Sequence, residues 1–427
     1  MDKNIKQILS IIDNYRDKPD FLDILFGEDK EDALTNRPVI ICCAGDLGKQ
    51  MLSTLQSYGI FPAAMCENDS EKINRLYLNT PITSFEKAIE SHPGALFVLA
   101  IHKHRDAIYQ QLITNGIPPN SIKCANSDSD LIYQYIGIGT QGQISIYKEH
   151  RSTKSSIAYL SERQNRIAHA SEILYDEKSR QLLTTKLALL ASHGQFTLFS
   201  DYIHEFSEPY RDFGLLGYEG TPEDYYYFNN DIFNINDNEL YIDVGAFDGD
   251  TIDTFIDACT KNGKQYQEII AFEPDPGCFE KLHKKYSSHK NISLQQIGLW
   301  SSTTQVRFLS TQGGAYEQGA AISESGDITI HTTSLDDFLK GSRVSLIKMD
   351  PPGNILPEVI KGAVSTIQKH RPNLAIGAYH GPDSIFELPL LVNAICPEYR
   401  IALRQNTCHL CDTDLLATIN NLRLKHE

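Results

Sequence analysis

Apolar and polar positions along this chain fall into three regimes. Residues 1–36 start as MDKNIKQILSIIDNY, with apolar side chains at helical spacing, and read as one or two helices that stop before Pro38. Val39-Ile40-Ile41-Cys42-Cys43 is then a short apolar run, and Ala44-Gly45-Asp46-Leu47-Gly48-Lys49 leads from it into a helical pattern. Further apolar runs at 61–65 and 95–101, with a helical pattern at 106–115, continue the alternation. A parallel sheet with helices on its faces is expected over residues 37–135, a Rossmann-like, nucleotide-binding-type domain.

The rhythm changes over residues 136–235. Leu160, Ile167, Ile173, Leu174, Leu182, Leu183, Leu187 and Leu190 recur at helical rather than strand spacing. A helical bridge is expected, ending in a tyrosine-rich stretch from Asp201 to Phe233 that either covers a site or packs one domain on the next. From 236 to 427 the alternation returns. Strands are expected at 240–244, 269–272, 292–295, 344–349, 374–378, 400–403 and 414–417, the last two with no full crossover between them. The fold class is therefore α/β, its C-terminal part a seven-stranded, mostly parallel sheet closed by an antiparallel hairpin. Residues 305–309 and 328–330 read as an extra hairpin inserted before the fourth of these strands.

Composition narrows the functional classes. The formal net charge is −16 and the basic residues are scattered, so nucleic acid is not expected as a partner. No apolar run approaches the roughly 18 residues that cross a bilayer, and the amphipathic start is unlike a signal peptide, so a cytoplasmic protein without a membrane span is expected. Nine cysteines at irregular positions, several in apolar runs, suit reduced thiols. Cys408 and Cys411 have the spacing of half a zinc site, but no partner pair completes it.

Candidate chemistry concentrates at Tyr241-Ile242-Asp243-Val244-Gly245-Ala246-Phe247-Asp248-Gly249-Asp250-Thr251, a buried strand breaking into a glycine turn before a helix. Gly245 and Gly249 would let a ligand approach the backbone. The next strand ends in Phe272-Glu273-Pro274-Asp275, where Glu273 is placed to accept ribose hydroxyls. Asp243, Asp248 and Asp250 would repel a pyrophosphate but suit the ammonium of a methionine moiety; the alternative is that they cap the helix.

These motifs resemble the FkbM-like methyltransferases, a family of mostly O-methyltransferases acting on sugars and secondary metabolites. The resemblance rests on FNNDIF, YIDVGAFDGDT, AFEPD, IGLWS, TTSLDDFL, LIKMD, AYH and LRQN followed by DLLA, and covers about residues 227–417. It implies a class I methyltransferase domain that binds S-adenosylmethionine: the methionine end near Asp243, Gly245 and Asp250, the ribose on Glu273, and the adenine beside Gln296, Ile297, Gly298 and Leu299, with Ala246, Asp248, Gly249, Thr251 and Pro274 also among the cofactor-binding residues. The acceptor is expected to be a small molecule or glycan. After Asp350, Pro351-Pro352-Gly353-Asn354 stands where the family usually continues with an Ile-Glu-Gly segment and a further acid.

Methyl transfer to a hydroxyl calls for a proton acceptor aligned with the methyl group. His380 is the candidate base and Asp350 its partner, both at the edge where open α/β sheets bind ligands. Asp350 is alternatively a ligand of a divalent ion, but the missing acid leaves such a site incomplete and no metal is expected. In the N-terminal part, Gly45, Asp46, Leu47, Gly48 and Asp69 form a candidate second nucleotide site, for instance for a nucleotide-sugar, with Cys43 in place of the first glycine of the dinucleotide fingerprint. A scaffold that serves a homo-oligomer is the alternative there. Two rival functions follow: a non-catalytic binding protein with an altered acceptor site, and a bifunctional protein with an NAD-dependent N-terminal domain.

Overall fold

The computed structural model describes residues 3–101, 104–124, 132, 135–136, 153–206, 227–228, 230–310, 321–322, 326–351, 355–381, 383–405 and 413–420. The Pro352-Gly353-Asn354 run, the Cys408 and Cys411 pair, residues 207–226 of the tyrosine-rich stretch and most of the loop between the inserted strands lie outside them.

Helices Lys3–Tyr15, Phe21–Phe26 and Lys30–Thr35 precede the first sheet. Its strands are β1 (Val39–Cys42), β2 (Ala64–Cys66), β3 (Leu76–Tyr77), β4 (Thr80–Thr83), β5 (Leu96–Leu99) and β6 (Ile122–Lys123), in the order β3-β4-β2-β1-β5-β6. All neighbouring strands run parallel except β3 and β4. The second strand begins later than the apolar run suggests, because Phe61 is 74% exposed and belongs to the loop before it. The β3–β4 hairpin was not foreseen: its strands are too short for an alternation to register.

Helices Thr153–Glu162, Gln164–Ile173, Glu177–Ala191 and Phe196–Phe206 form the bridge. Helix Lys3–Tyr15 packs on Glu177–Ala191, and Gln164–Ile173 packs on Ser384–Ile395 of the C-terminal part. Leu182, Leu183 and Leu187 are buried on the bridge's longest helix, so its apolar positions serve packing. The bridge is also pinned to the second sheet. The Arg404 guanidinium is 5% exposed and donates to Asp176 and Asp231, at 2.6 and 2.7 Å.

The second large sheet contains β7 (Glu239–Val244), β8 (Tyr266–Phe272), β9 (Ile292–Gln295), β14 (Leu346–Met349), β15 (Asn373–Gly377), β16 (Arg400–Gln405) and β17 (Thr413–Thr418). Its seven strands run β16-β17-β15-β14-β7-β8-β9, with β17 antiparallel between β15 and β16. The expected seven-stranded sheet with its antiparallel hairpin is the fold observed. The inserted hairpin is larger than expected: β10 (Gly298–Leu299), β11 (Thr304–Leu309), β12 (Ala321–Ile322) and β13 (Ile328–Thr333) make a separate four-stranded sheet.

Alternation along the central strands divides their side chains between two faces. Ile242, Val244, Ile347, Met349 and Ile376 join the large core shared with the bridge. Tyr241, Leu346 and Ala375 face the other way, under Tyr227, Phe228, Ile232 and Phe233. Asp243 and Lys348 fall on this second face by the same alternation, and it carries the site.

Candidate functional site

Strands β7 and β14 leave the sheet side by side, with the Asp350 amide donating to the Val244 carbonyl at 3.0 Å. Gly245 has φ +75°, and a Cβ there would lie 2.8 Å from the Asp350 carbonyl oxygen and 3.0 Å from Pro351 Cα. The expectation that Gly245 and Gly249 make room for a ligand is thus corrected in its physical reason. The backbone after β14 fills the space at Gly245, and the Tyr286 ring fills it at Gly249. Gly249 also has a positive φ, +93°, and its amide closes the turn on the Ala246 carbonyl at 2.8 Å. Ala246 is buried beneath the turn.

Glu273, at the end of β8, reaches across to this turn. Its Oε2 accepts from the Phe247 amide at 2.9 Å and its Oε1 from the Asp275 amide at 2.8 Å. Burial raises its carboxyl to about 7, although the two backbone donors and the Lys348 charge pull the other way. A carboxylate held at this cost is suited to hydroxyl donors from a ligand.

Asp243 does not face a ligand alone. It is fully buried, accepts from Thr251 Oγ1 at 2.6 Å and pairs with Lys348 Nζ at 3.2 Å. The three acids are not helix caps either: the N-cap of helix Asp250–Lys261 is Gly249, with no side-chain cap bond. Asp250 accepts from its neighbour's amide, Thr251, at 2.7 Å, and burial pushes its carboxyl up to about 6. Asp248 is partly exposed on the turn.

Asp350 and His380 meet. His380 Nε2 lies 2.7 Å from Asp350 Oδ1, and Tyr379 donates its hydroxyl to both oxygens, at 2.8 and 2.7 Å. Tyr227 adds a hydroxyl 3.2 Å from Oδ2. Burial alone would raise Asp350, but His380, the Lys348 charge and Tyr379 together bring it down to about 2. Both carboxylate oxygens therefore serve protein donors. Among the described residues there is no group of three or more His, Cys, Asp or Glu arranged to hold a metal ion.

Beside the glycine turn, Pro274, Ile297, Gly298, Leu299, Phe308 and Pro351 line a narrow apolar cavity closed by the four-stranded sheet. Its open volume is about 20 Å³, room for little more than one water molecule. Gln296 is exposed and outside the lining, so of the residues expected around an adenine Ile297, Gly298 and Leu299 reach the cavity.

Lys348, Tyr379 and Tyr227 are residues of this cluster that had been given no role. A lysine inside the apolar strand 344–349 was the available signal, since such a side chain must find acids when buried. Nothing local marks Tyr379 or Tyr227 as partners of Asp350.

Residues 243–399 match the family model of the methyltransferase FkbM domain. Over these residues the chain is therefore similar to the FkbM methyltransferases, and the match supports a methyltransferase. The crystal structure of methyltransferase FkbM from Methylobacillus flagellatus KT is similar over 97% of this chain and 99% of that one, with TM-score 0.59 at 18% identity. That likeness is one of fold, and it includes the N-terminal sheet and bridge as well as the FkbM domain. Aeropyrum pernix fibrillarin with natively bound S-adenosyl-L-methionine aligns over 44% of this chain and 70% of its own, at 9% identity and TM-score 0.28. A Streptococcus thermophilus rRNA methylase aligns over 44% and 90%, at 14% identity and TM-score 0.27. No curated protein matches the chain.

The N-terminal turn repeats part of the FkbM domain's construction. Glu67, ending β2, accepts from the Ala44 amide at 3.0 Å, as Glu273 does from Phe247. Cys43 takes φ +76°, the conformation a glycine would favour, and a Cβ on Gly48 would strike the Cys43 carbonyl. Gly45 has open space around it, Leu47 is buried, and Asp46 and Asp69 are exposed and paired with Lys49 and Lys72. No described helix is long and apolar enough to cross a membrane.

Proposed function

We propose that this protein is an S-adenosylmethionine-dependent O-methyltransferase for a hydroxyl of a sugar or glycoside, with His380 as proton acceptor and Asp350 as the residue that orients it. The observation that carries the reading is the His380–Asp350 pair, at 2.7 Å, standing where Asp350 also packs against the Gly245 turn.

The residues present fit the cofactor. Glu273 is 6% exposed, each of its oxygens has a single backbone donor, and it would take the ribose hydroxyls. Pro274, Ile297 and Gly298 present apolar surface of the kind an adenine face takes, although the cavity they line is far smaller than an adenine. Asp248 and Asp250 are the acids of the turn left to receive the methionine ammonium. When bound, S-adenosylmethionine supplies an electrophilic methyl carbon on a cationic sulfur.

The chain's own residues do the proton chemistry. With Nε2–H donating to Asp350, His380 takes the acceptor's hydroxyl proton at Nδ1. Asp350, held at about 2, stays ionised and stabilises the imidazolium that results. Tyr379 and Tyr227 fix the carboxylate so that the ring cannot turn away.

At the N-terminal turn, the Glu67 grip on Ala44 supports a nucleotide-linked ligand, such as a nucleotide-sugar, near Gly45 and Asp69. The test is calorimetric titration with S-adenosylmethionine, S-adenosylhomocysteine, NAD and a nucleotide-sugar, followed by methyl transfer to a panel of glycosides. Sulfonium binding lost in Glu273→Ala, with transfer lost in His380→Ala, is the expected result. Binding without transfer to any glycoside would make the protein a cofactor-binding module. Binding of NAD in place of the sulfonium would move the function to the N-terminal turn.

A further inference from the structure

Lys348 is a lysine in the middle of a central strand, 2% exposed, and the proton transfer above does not use it. Its Nζ donates to the Gly245 carbonyl at 2.9 Å and pairs with Asp243, which stands directly opposite on β7, at 3.2 Å. One ammonium thus holds both the strand that enters the glycine turn and the turn itself. The same turn touches Asp350, two residues beyond Lys348 on β14.

We propose that Lys348 is the positioning residue of the methyl-transfer site: it locks the glycine turn after β7 against the exit of β14, and so sets the cofactor loop and the Asp350–His380 pair in one fixed relation. The proposal rests on the methyltransferase reading above. The long, flexible Lys348 side chain reaches both acceptors from β14, and a buried ammonium keeps its charge because acids surround it. Burial would lower the Lys348 ammonium, but Asp243, Asp350 and Asp250 outweigh it and raise it. Glu273 at the end of β8 also feels its charge, and the Tyr227 ring lies 5.9 Å from Nζ on the covering segment.

The test compares wild type, Lys348→Met, Asp243→Asn and the double variant by amide exchange of residues 245–250 and by titration with S-adenosylhomocysteine across pH. Lys348→Met leaves a buried carboxylate unpaired and is expected to lose stability; the double variant removes both charges and is expected to regain it. In both, exchange at the turn should quicken at least tenfold and S-adenosylhomocysteine bind at least tenfold more weakly, while Asp243→Asn keeps a slow turn. In Lys348→Met the acidic limb of the affinity profile should also move to higher pH, because the cation that favours ionised Glu273 and Asp250 is gone. A double variant with wild-type exchange and affinity would overturn the proposal, reducing Lys348 to a neutraliser of Asp243. So would an Asp243→Asn protein as loose as the double variant. If wild type binds no S-adenosylhomocysteine, the functional reading fails, and the exchange measurement still decides the role of Lys348.

Discussion

His380 Nε2 lies 2.7 Å from Asp350 Oδ1, two residues from the ends of different strands brought within one hydrogen bond. An ionised Asp350 can only accept, which puts a ring hydrogen on Nε2, and on the proposed reading Nδ1 then takes the acceptor's proton. His380→Gln should therefore slow methyl transfer by about 10²–10⁴-fold while leaving S-adenosylhomocysteine affinity as in wild type. Parallel kinetics and calorimetry check this, and an unimpaired rate would remove His380 as the base.

Gly377 is what allows Asp350 to sit where it does. A Cβ at this position would run into Asp350 Oδ1 and come within 3.0 Å of the Tyr379 ring. Gly377→Ala should displace the carboxylate from both partners, costing about 1–3 kcal/mol of stability as an overpacked site does and lowering kcat more than cofactor affinity. Retained kcat would show that the dyad tolerates the shift.

On the proposed reading, Glu273 links cofactor binding to protons. Its carboxyl is raised from the ordinary 4.5 to about 7, so between those values the folded protein holds a proton that the unfolded chain has released. Stability from this group is accordingly greatest at low pH and falls as pH rises from about 4.5 to 7. Ligand hydroxyls favour the ionised carboxylate. Binding near pH 6.5 should therefore release protons, read as a dependence of calorimetric enthalpy on buffer ionisation heat at about that pH. Affinity should rise from pH 6 to 8 on the order expected for one such group, and Glu273→Gln should reduce both effects to the part that Asp250, raised to about 6, contributes.

Gly48 tests whether the N-terminal sheet matters to the cofactor site. Its Cβ would collide with the Cys43 carbonyl, so Gly48→Ala should cost about 1–3 kcal/mol through the turn between β1 and the helix Asp46–Ser57. S-adenosylhomocysteine affinity should be unchanged, because Glu273 and the glycine turn belong to the other sheet. A matching loss of affinity would reveal coupling through the bridge.

The large elements of this fold were legible because they follow local rules. The apolar run at 240–244 lies within β7, since a strand buried on both faces has no other way to read. Glu273 could be placed for the same reason, as its position is fixed by chain distance from the preceding turn. Elements with two residues, such as β3, β10 and β12, leave no periodic trace and were missed.

What the linear pattern leaves open is which side chains share a space. The motif LIKMD contains Lys348, yet its bond to Gly245 and its pairing with Asp243 exist only because β14 lies beside β7, strands separated by two others and a small sheet along the chain. The glycines are the clearest case. Chain position marks Gly245 as a residue that must have no side chain, but the reason, the Asp350–Pro351 backbone packed against it, comes from a strand crossover that no local spacing encodes. Local periodicity carries the elements; the contacts that make the site arise between residues far apart in sequence, and burial and charge pairing in the assembled sheet select them.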